Sequence, residues 1–301
     1  MGNFALGKVE RWCLSLPGKK DEIKPVASAE RELQVKKANL RAWNYWGRIW
    51  RLDRRRSSPS SYALHLMRTR QMTYRNVYLK MVETLGGLSG KSVLDVGCGT
   101  SEYHVWLAND CDRLIGVDIS LEMLKLCRED TGKSIELVAA DASHLPFRKE
   151  AVDTSMTFQA LHHFPDWQSA LAEMVRIGEG VVLYEPNAES ILHKFMHKIR
   201  QTFRVEQRFK QIDEDYELVE FKAGGFSSAH IVHFLDRNDM NTRLFMFGFM
   251  PVSLLDKASR LSRRLLVSLF AFEDLLRKIP IVRSQLGGML VIAWKSKQKW
   301  E

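Results

Sequence analysis

An acid set two residues ahead of a glycine turn is the first feature of this chain that could do chemistry. In Val93-Leu94-Asp95-Val96-Gly97-Cys98-Gly99-Thr100 an apolar run stops where Gly97 and Gly99 let the backbone bend and come close to a bound molecule. Asp95 offers a carboxylate to an ammonium group. A helix expected over Ser101 to Asn109, with Tyr103, Trp106 and Leu107 at helical spacing, offers N-terminal amides to an anionic end of the same ligand. Asp118 closes the next apolar run, Arg113 to Val117, about twenty residues past the turn, where nucleotide-binding βαβ units place an acid on ribose hydroxyls. Asp141 closes Ile135 to Ala140, and Gln159-Ala160-Leu161-His162-His163 closes Val152 to Phe158. Glu185 follows Gly180 to Tyr184, so His162, His163 and Glu185 are the strand-end groups available to take a proton.

The elements that position these residues are short apolar runs alternating with helical patterns, which is how strands covered on both faces read. Trp167 to Ile177 is the helix before the fifth strand. Asp215 to Ala223 reads as a helix ended by Gly224-Gly225, Ala229 to Leu235 as the sixth strand, and Met289 to Trp294 as a last strand beside it. The pattern predicts an α/β fold.

The runs LDVGCGT, GVDIS, AADASHLPF and DTSMTFQALHHF resemble, in order and spacing, the motifs of class I S-adenosyl-L-methionine (SAM) dependent methyltransferases, closest to the subgroup acting on quinones and other small molecules or lipids. The resemblance is close over Ser92 to Asn187 and looser beyond. It implies a Rossmann-like, doubly wound, mainly parallel seven-stranded sheet with SAM as cofactor. By position it implies that Gly97, Cys98 and Gly99 line the methionine part of SAM, with Asp95 on its ammonium. It further implies that Asp118 holds the ribose diol, that Ile119 and Met123 pack near the adenine, that Asp141 with Ala142 reads the adenine edge, and that Gln159 lies near the transferable methyl. Two positions depart from the family pattern: Ser101 replaces the third glycine, and Arg176-Ile177-Gly178-Glu179-Gly180 replaces the KPGG turn before the fifth strand, a change expected to alter only a surface turn.

Other readings of the same residues exist. A dinucleotide fold would put its third glycine at Glu102 and set Asp95 against a diphosphate, which is unfavourable. Asp141 could cap a helix after its strand, and the paired histidines could be structural. The fourth strand does not run into the Asn/Asp-Pro-Pro-aromatic signature of amino-nitrogen methylation, which counts against nucleic acid as acceptor. The resemblance implies a methyltransferase acting on a hydrophobic small-molecule or lipid-like acceptor, at oxygen or carbon. The alternatives are an RNA methyltransferase that uses a basic N-terminal segment, recognisable by salt-dependent binding, and a non-catalytic SAM-binding assembly module. The sequence leaves the oligomeric state open.

The 301 residues carry a net charge of +9, and it is unevenly spread. Residues 1–90 hold 18 Lys and Arg against 7 Asp and Glu, so the remainder is slightly acidic. We divide the chain into a basic, Trp-rich helical extension over 1–60 and a methyltransferase domain over 61–301, with helical substrate-covering insertions at about 190–212 and 250–282. Ala29 to Asp53 reads as a helix with Leu33, Leu40, Trp43, Trp46 and Trp50 on one side and Lys36, Lys37, Arg41, Arg48 and Arg51 around them. It would pack on the core, cover the acceptor site as a lid, or settle on anionic lipid headgroups. A helix over Ser61 to Leu85 places Tyr74, Arg75 and Tyr78 ahead of the first strand.

Ile191 to Lys210 is basic and helical, with Phe195, Met196, Ile199 and Phe203. Leu254, Ala258, Leu261, Leu265, Leu269, Phe272, Leu276 and Ile279 make a helical apolar stripe, read as core, or with Phe245, Phe247, Phe249 and Met250 as a greasy acceptor channel or membrane-facing patch. Cys13, Cys98, Cys111 and Cys127 have neither metal spacing nor a disulfide framework, so a reducing compartment and no metal are expected. No stretch reads as a membrane span or secretory leader, and Leu6 breaks a myristoylation pattern. A cytoplasmic protein, with peripheral membrane association through the basic segment, is the expectation.

Overall fold

The computed structural model describes residues 33, 36–37, 39–45, 47–48, 74–100, 103–132, 134–190, 225–247, 272, 275, 278–279, 282 and 286–295. Its centre is one sheet of seven strands in the order β3-β2-β1-β4-β5-β7-β6. The strands are β1 (Ser92–Val96), β2 (Arg113–Asp118), β3 (Glu136–Ala139), β4 (Val152–Phe158), β5 (Gly178–Pro186), β6 (Met240–Phe247) and β7 (Gly288–Lys295). The first five run parallel, and β7 lies antiparallel between β5 and β6. The helices are α1 over residues 74–84, α2 (His104–Asp110), α3 (Leu121–Thr131), α4 (Trp167–Ile177) and α5 (Ser228–Asp236). From β1 the chain winds outward to β2 and β3, then crosses back to β4 on the other side. The carboxyl ends of β1 and β4 therefore flank the crevice where open α/β sheets hold ligands.

Both faces of the sheet are covered, which accounts for the near-continuous apolar strands. Leu94, Val96, Ile115 and Leu183 pack with Leu171, Met174 and Ile177 of α4. Val93, Met156 and Val182 pack with Met81 of α1 and Leu107 of α2. Asp95 is on the same face of β1 as Val93, the face that carries Tyr103. Ser92 ties β1 to β4, its amide and hydroxyl both donating to Asp153 Oδ2 at 2.7 and 2.6 Å. Ser120 caps α3 by accepting from Met123 N, and Asp166 caps α4 by accepting from Ser169 N.

Four sequence expectations are corrected. Ala229 to Leu235 is the body of helix α5, not a strand: Ile231 and Leu235, four residues apart, are its buried pair. The sixth strand is Met240–Phe247, where Phe245 is half-buried and Phe247 buried against the sheet, so these two phenylalanines are core. The segment standing for the KPGG turn is no surface turn, because Gly178 is already paired with Val152 and β5 starts there. In the apolar stripe, the described members Phe272 and Ile279 are 51% and 46% exposed. The helix after the glycine turn is short, starting at His104 with Tyr103 as its cap. The insertion at 190–212 and the boundary near residue 60 lie outside the described residues, as do Phe249 and Met250. No helix among the described residues is long and apolar enough to cross a membrane.

Candidate cofactor site and proton-transfer residues

Asp95 is fully buried at the end of β1. Its Oδ2 accepts from Tyr103 Oη at 2.9 Å and from His104 Nε2 at 2.5 Å. Burial alone would depress the His104 pKa, but Asp95 and Cys127 outweigh it and raise the imidazole to about 9, so it is a cation at neutral pH. The other oxygen, Oδ1, is buried and has no hydrogen-bond partner among the described residues. A buried carboxylate oxygen left so costs free energy, and a ligand donor reaching it would relieve that cost.

The glycine turn is built by the sheet. Gly97 N and Cys98 N both donate to Val117 O at 2.8 and 2.9 Å, so these two amides are used internally. Gly97 has φ +74°, and a Cβ there would lie 2.6 Å from Ala160 Cβ; this glycine lets β4's exit pack against β1's. Gly99 has φ +50° and nothing within 4 Å of a Cβ position, so its side of the turn is open. The Cys98 side chain is buried against Gly116 of β2, leaving only its backbone to line a ligand.

Asp118 accepts from Gly99 N at 3.0 Å and from Ser120 N at 2.8 Å, fixing both carboxylate oxygens at the turn. Burial pushes its pKa up to about 6 despite those amides. Ile119 is half-buried beside it, while Met123 is buried within α3. Asp141 lies at the end of β3, where Oδ1 accepts from Ser143 N at 2.9 Å and Oδ2 pairs with Lys36 Nζ at 2.8 Å. Burial would raise its carboxyl, yet Lys36 and Ser143 hold it below the ordinary value. No helix follows it, so it caps a turn. Ala142 is half-buried against the core.

At the end of β4, Gln159 takes φ +57°, a left-handed conformation costly for a residue with a Cβ, and donates its amide to Tyr184 O at 2.8 Å. Glu185 is fully buried behind it. Its Oε1 accepts from Ala160 N at 3.0 Å and Leu161 N at 2.8 Å, and its Oε2 pairs with His162 Nδ1 at 2.6 Å. The His163 ring lies tilted against the His162 ring at 4.0 Å and edge-on to Trp43 at 5.2 Å. Burial, then the neighbouring His162, hold the His163 pKa well below 6.5, so it is neutral. The structure thus joins Glu185 to His162 and leaves His163 beside them, outside that carboxylate pair.

Sequence reasoning missed the part played by the N-terminal segment. Its described residues are helical, and those that turn inward are Asn39, Ala42 and Gly47, whereas Leu33 is 50% exposed and Trp43 half-buried. Small residues permit the close approach: a Cβ on Gly47 would come within 2.9 Å of Glu122 Cβ. Lys36, one of the charges around the apolar side of this helix, reaches Asp141. Asn44 Oδ1 accepts from Ser120 Oγ at 2.7 Å and Glu122 N at 3.3 Å, and Asn39 Nδ2 donates to His163 O at 3.3 Å. Among the described residues no cluster of His, Cys, Asp and Glu suits a metal ion.

Residues 94–180 match the methyltransferase domain family. A malonyl-(acyl-carrier protein) O-methyltransferase of Hamiltonella defensa is 25% identical over 55% of this chain and 60% of its own length. A demethylmenaquinone methyltransferase of Lactococcus lactis is 31% identical over 33% of this chain and 42% of its own. The chain spans about half the length of the curated relatives it matches. Magnesium protoporphyrin IX methyltransferase of Synechocystis PCC 6803, solved with bound SAH, has a similar fold, with a TM-score of 0.53 at 16% identity over 88% of this chain and 100% of that one.

Proposed function

We propose, from the premise that residues 94–180 match a methyltransferase domain family, that the chain binds SAM and moves its methyl group to a hydrophobic small-molecule or lipid-like acceptor at oxygen or carbon. One observation carries the cofactor reading: the unpartnered buried oxygen of Asp95 beside an open glycine turn whose far side is Asp118. An α-ammonium group is the donor that Asp95 Oδ1 lacks. A ribose diol donates two hydrogen bonds, and Asp118, held by two backbone amides, is presented to accept them. The open side of Gly99 admits the methionine chain without a side chain in the way.

When bound, SAM supplies an activated methyl on a sulfonium, so the protein's task is alignment and exclusion of water. Asp95 and Asp118 fix the two ends of the cofactor, and the strained Gln159 closes β4 beside them. An oxygen or carbon acceptor must also lose a proton. In the neutral form of His162 the Glu185 carboxylate would keep the proton on Nδ1 and leave Nε2 as the basic nitrogen, the tautomer a general base requires. The similarity to a demethylmenaquinone methyltransferase and the exposed apolar Phe272, Leu275 and Ile279 support an apolar acceptor. Incubation of the chain with SAM labelled in its methyl group and a lipid-rich extract tests this: label in the organic phase is expected. Label confined to RNA in the aqueous phase would overturn the acceptor class.

A further inference from the structure

The N-terminal helix lies across the crevice rather than beside the fold. Within nine residues, about 12 Å of helix at a rise of roughly 1.5 Å per residue, it touches the carboxyl ends of three strands. Lys36 meets Asp141 after β3, Asn39 meets His163 after β4, and Asn44 meets Ser120 and Glu122 after β2. Two of these contacts fall on groups adjoining the nucleoside end of the site. Asn44 Oδ1 holds the hydroxyl of the residue whose amide donates to Asp118. Lys36 holds the carboxylate that would face an adenine edge, in an ion pair whose side chains are 14% and 29% exposed.

We infer that Lys36 and Asn44 are positioning residues of the cofactor site, supplied by the N-terminal helix, which latches over the nucleoside half of the crevice and must release for cofactor to exchange. This rests on the SAM reading above. The chemistry is specific to these two side chains. The Asn44 amide oxygen stops the Asp118–Ser120 turn from rotating its carboxylate away from a diol, and the Lys36–Asp141 pair closes one end of the cover with an attraction that salt weakens. Ala42 and Gly47, buried where the helix meets the sheet domain, give the close fit that lets such short hydrogen bonds form.

The test is the dissociation rate of SAM and of its demethylated product from the full chain, followed by displacement. In wild type the rate rises with salt between 0.05 and 0.5 M as the latch is screened. Lys36→Met and Asn44→Ala each release cofactor several-fold faster with unchanged melting temperature, Lys36→Met no longer responds to salt, and Lys36→Arg restores the wild-type rate and its salt response. A purely structural role would lower the melting temperature and leave the salt response in place. Wild-type binding with the same dissociation rate and salt profile in both variants would overturn the latch and leave the cofactor reading standing, whereas absence of wild-type binding strikes the cofactor reading itself.

Discussion

At the scale of single residues, the site is an arrangement of carboxylates given different surroundings. Asp118 has its pKa raised to about 6, while a diol needs the ionised form as acceptor. Cofactor affinity is therefore expected to be constant above pH 7 and to fall roughly tenfold per pH unit below 6, a profile that titration calorimetry would show; affinity independent of pH between 5 and 7 would contradict the assignment. Glu185→Gln keeps an acceptor for the Ala160 and Leu161 amides but turns a donor toward His162 Nδ1, which moves the imidazole proton to Nε2. Methyl transfer should drop by roughly 10²–10⁴ with SAM binding retained, and equal loss of both would instead mark Glu185 as structural. Asp95, Asp118 and the glycine turn were legible in the sequence because strand-end acids and turn glycines keep a fixed order along the chain. Lys36, Asn39 and Asn44 were not, because their partners lie up to 124 residues away and nothing local marks a lysine as paired.

At the scale of elements, the parallel strands β1, β2, β4 and β5 were readable as runs buried on both faces, and the edge strand β3 as the short apolar run before Asp141. The end of the sheet was not. Ala229 to Leu235 is as apolar as a strand, and only the burial of Ile231 with Leu235 reveals its helical period. Met240–Phe247 alternates poorly because it is an edge strand paired only with β7. A tight joint behind the glycine turn is Gly116 of β2, where a Cβ would stand 2.9 Å from Cys98 Sγ and 3.0 Å from both Ile135 and Leu137 side chains. Gly116→Ala is expected to destabilise by about 1–3 kcal/mol and to displace the glycine turn, so denaturant unfolding and cofactor affinity should worsen together. Unchanged affinity in a folded but weakened variant would separate the joint from the site.

At the scale of the whole molecule, charge decides how stability varies with pH. His104 in the folded chain titrates near 9, above its ordinary value of 6.5, so its pairing with Asp95 contributes stability that is fully present below about 6.5 and is lost as pH rises through 9. Asp118, raised to about 6, acts in the same sense at lower pH, favouring the fold below its ordinary 3.8 and losing that contribution through 6. The His104 pair therefore lowers the urea midpoint between pH 7 and 9.5, against an opposite contribution from Cys127, whose thiol the hydrogen bonds to Cys98 and His104 lower to about 5; Asp95→Asn should remove the His104 part, and an equal pH dependence in both proteins would remove that pair as its cause.

A cofactor seated between Asp95 and Asp118 is tested most directly by calorimetric titration of the full chain with SAM at pH 7.5. The expected result is one saturable site per chain, abolished or strongly weakened in Asp118→Ala and unmoved by an excess of NAD. No heat of binding to the folded wild-type chain at millimolar SAM, or equal binding by Asp118→Ala, would contradict it.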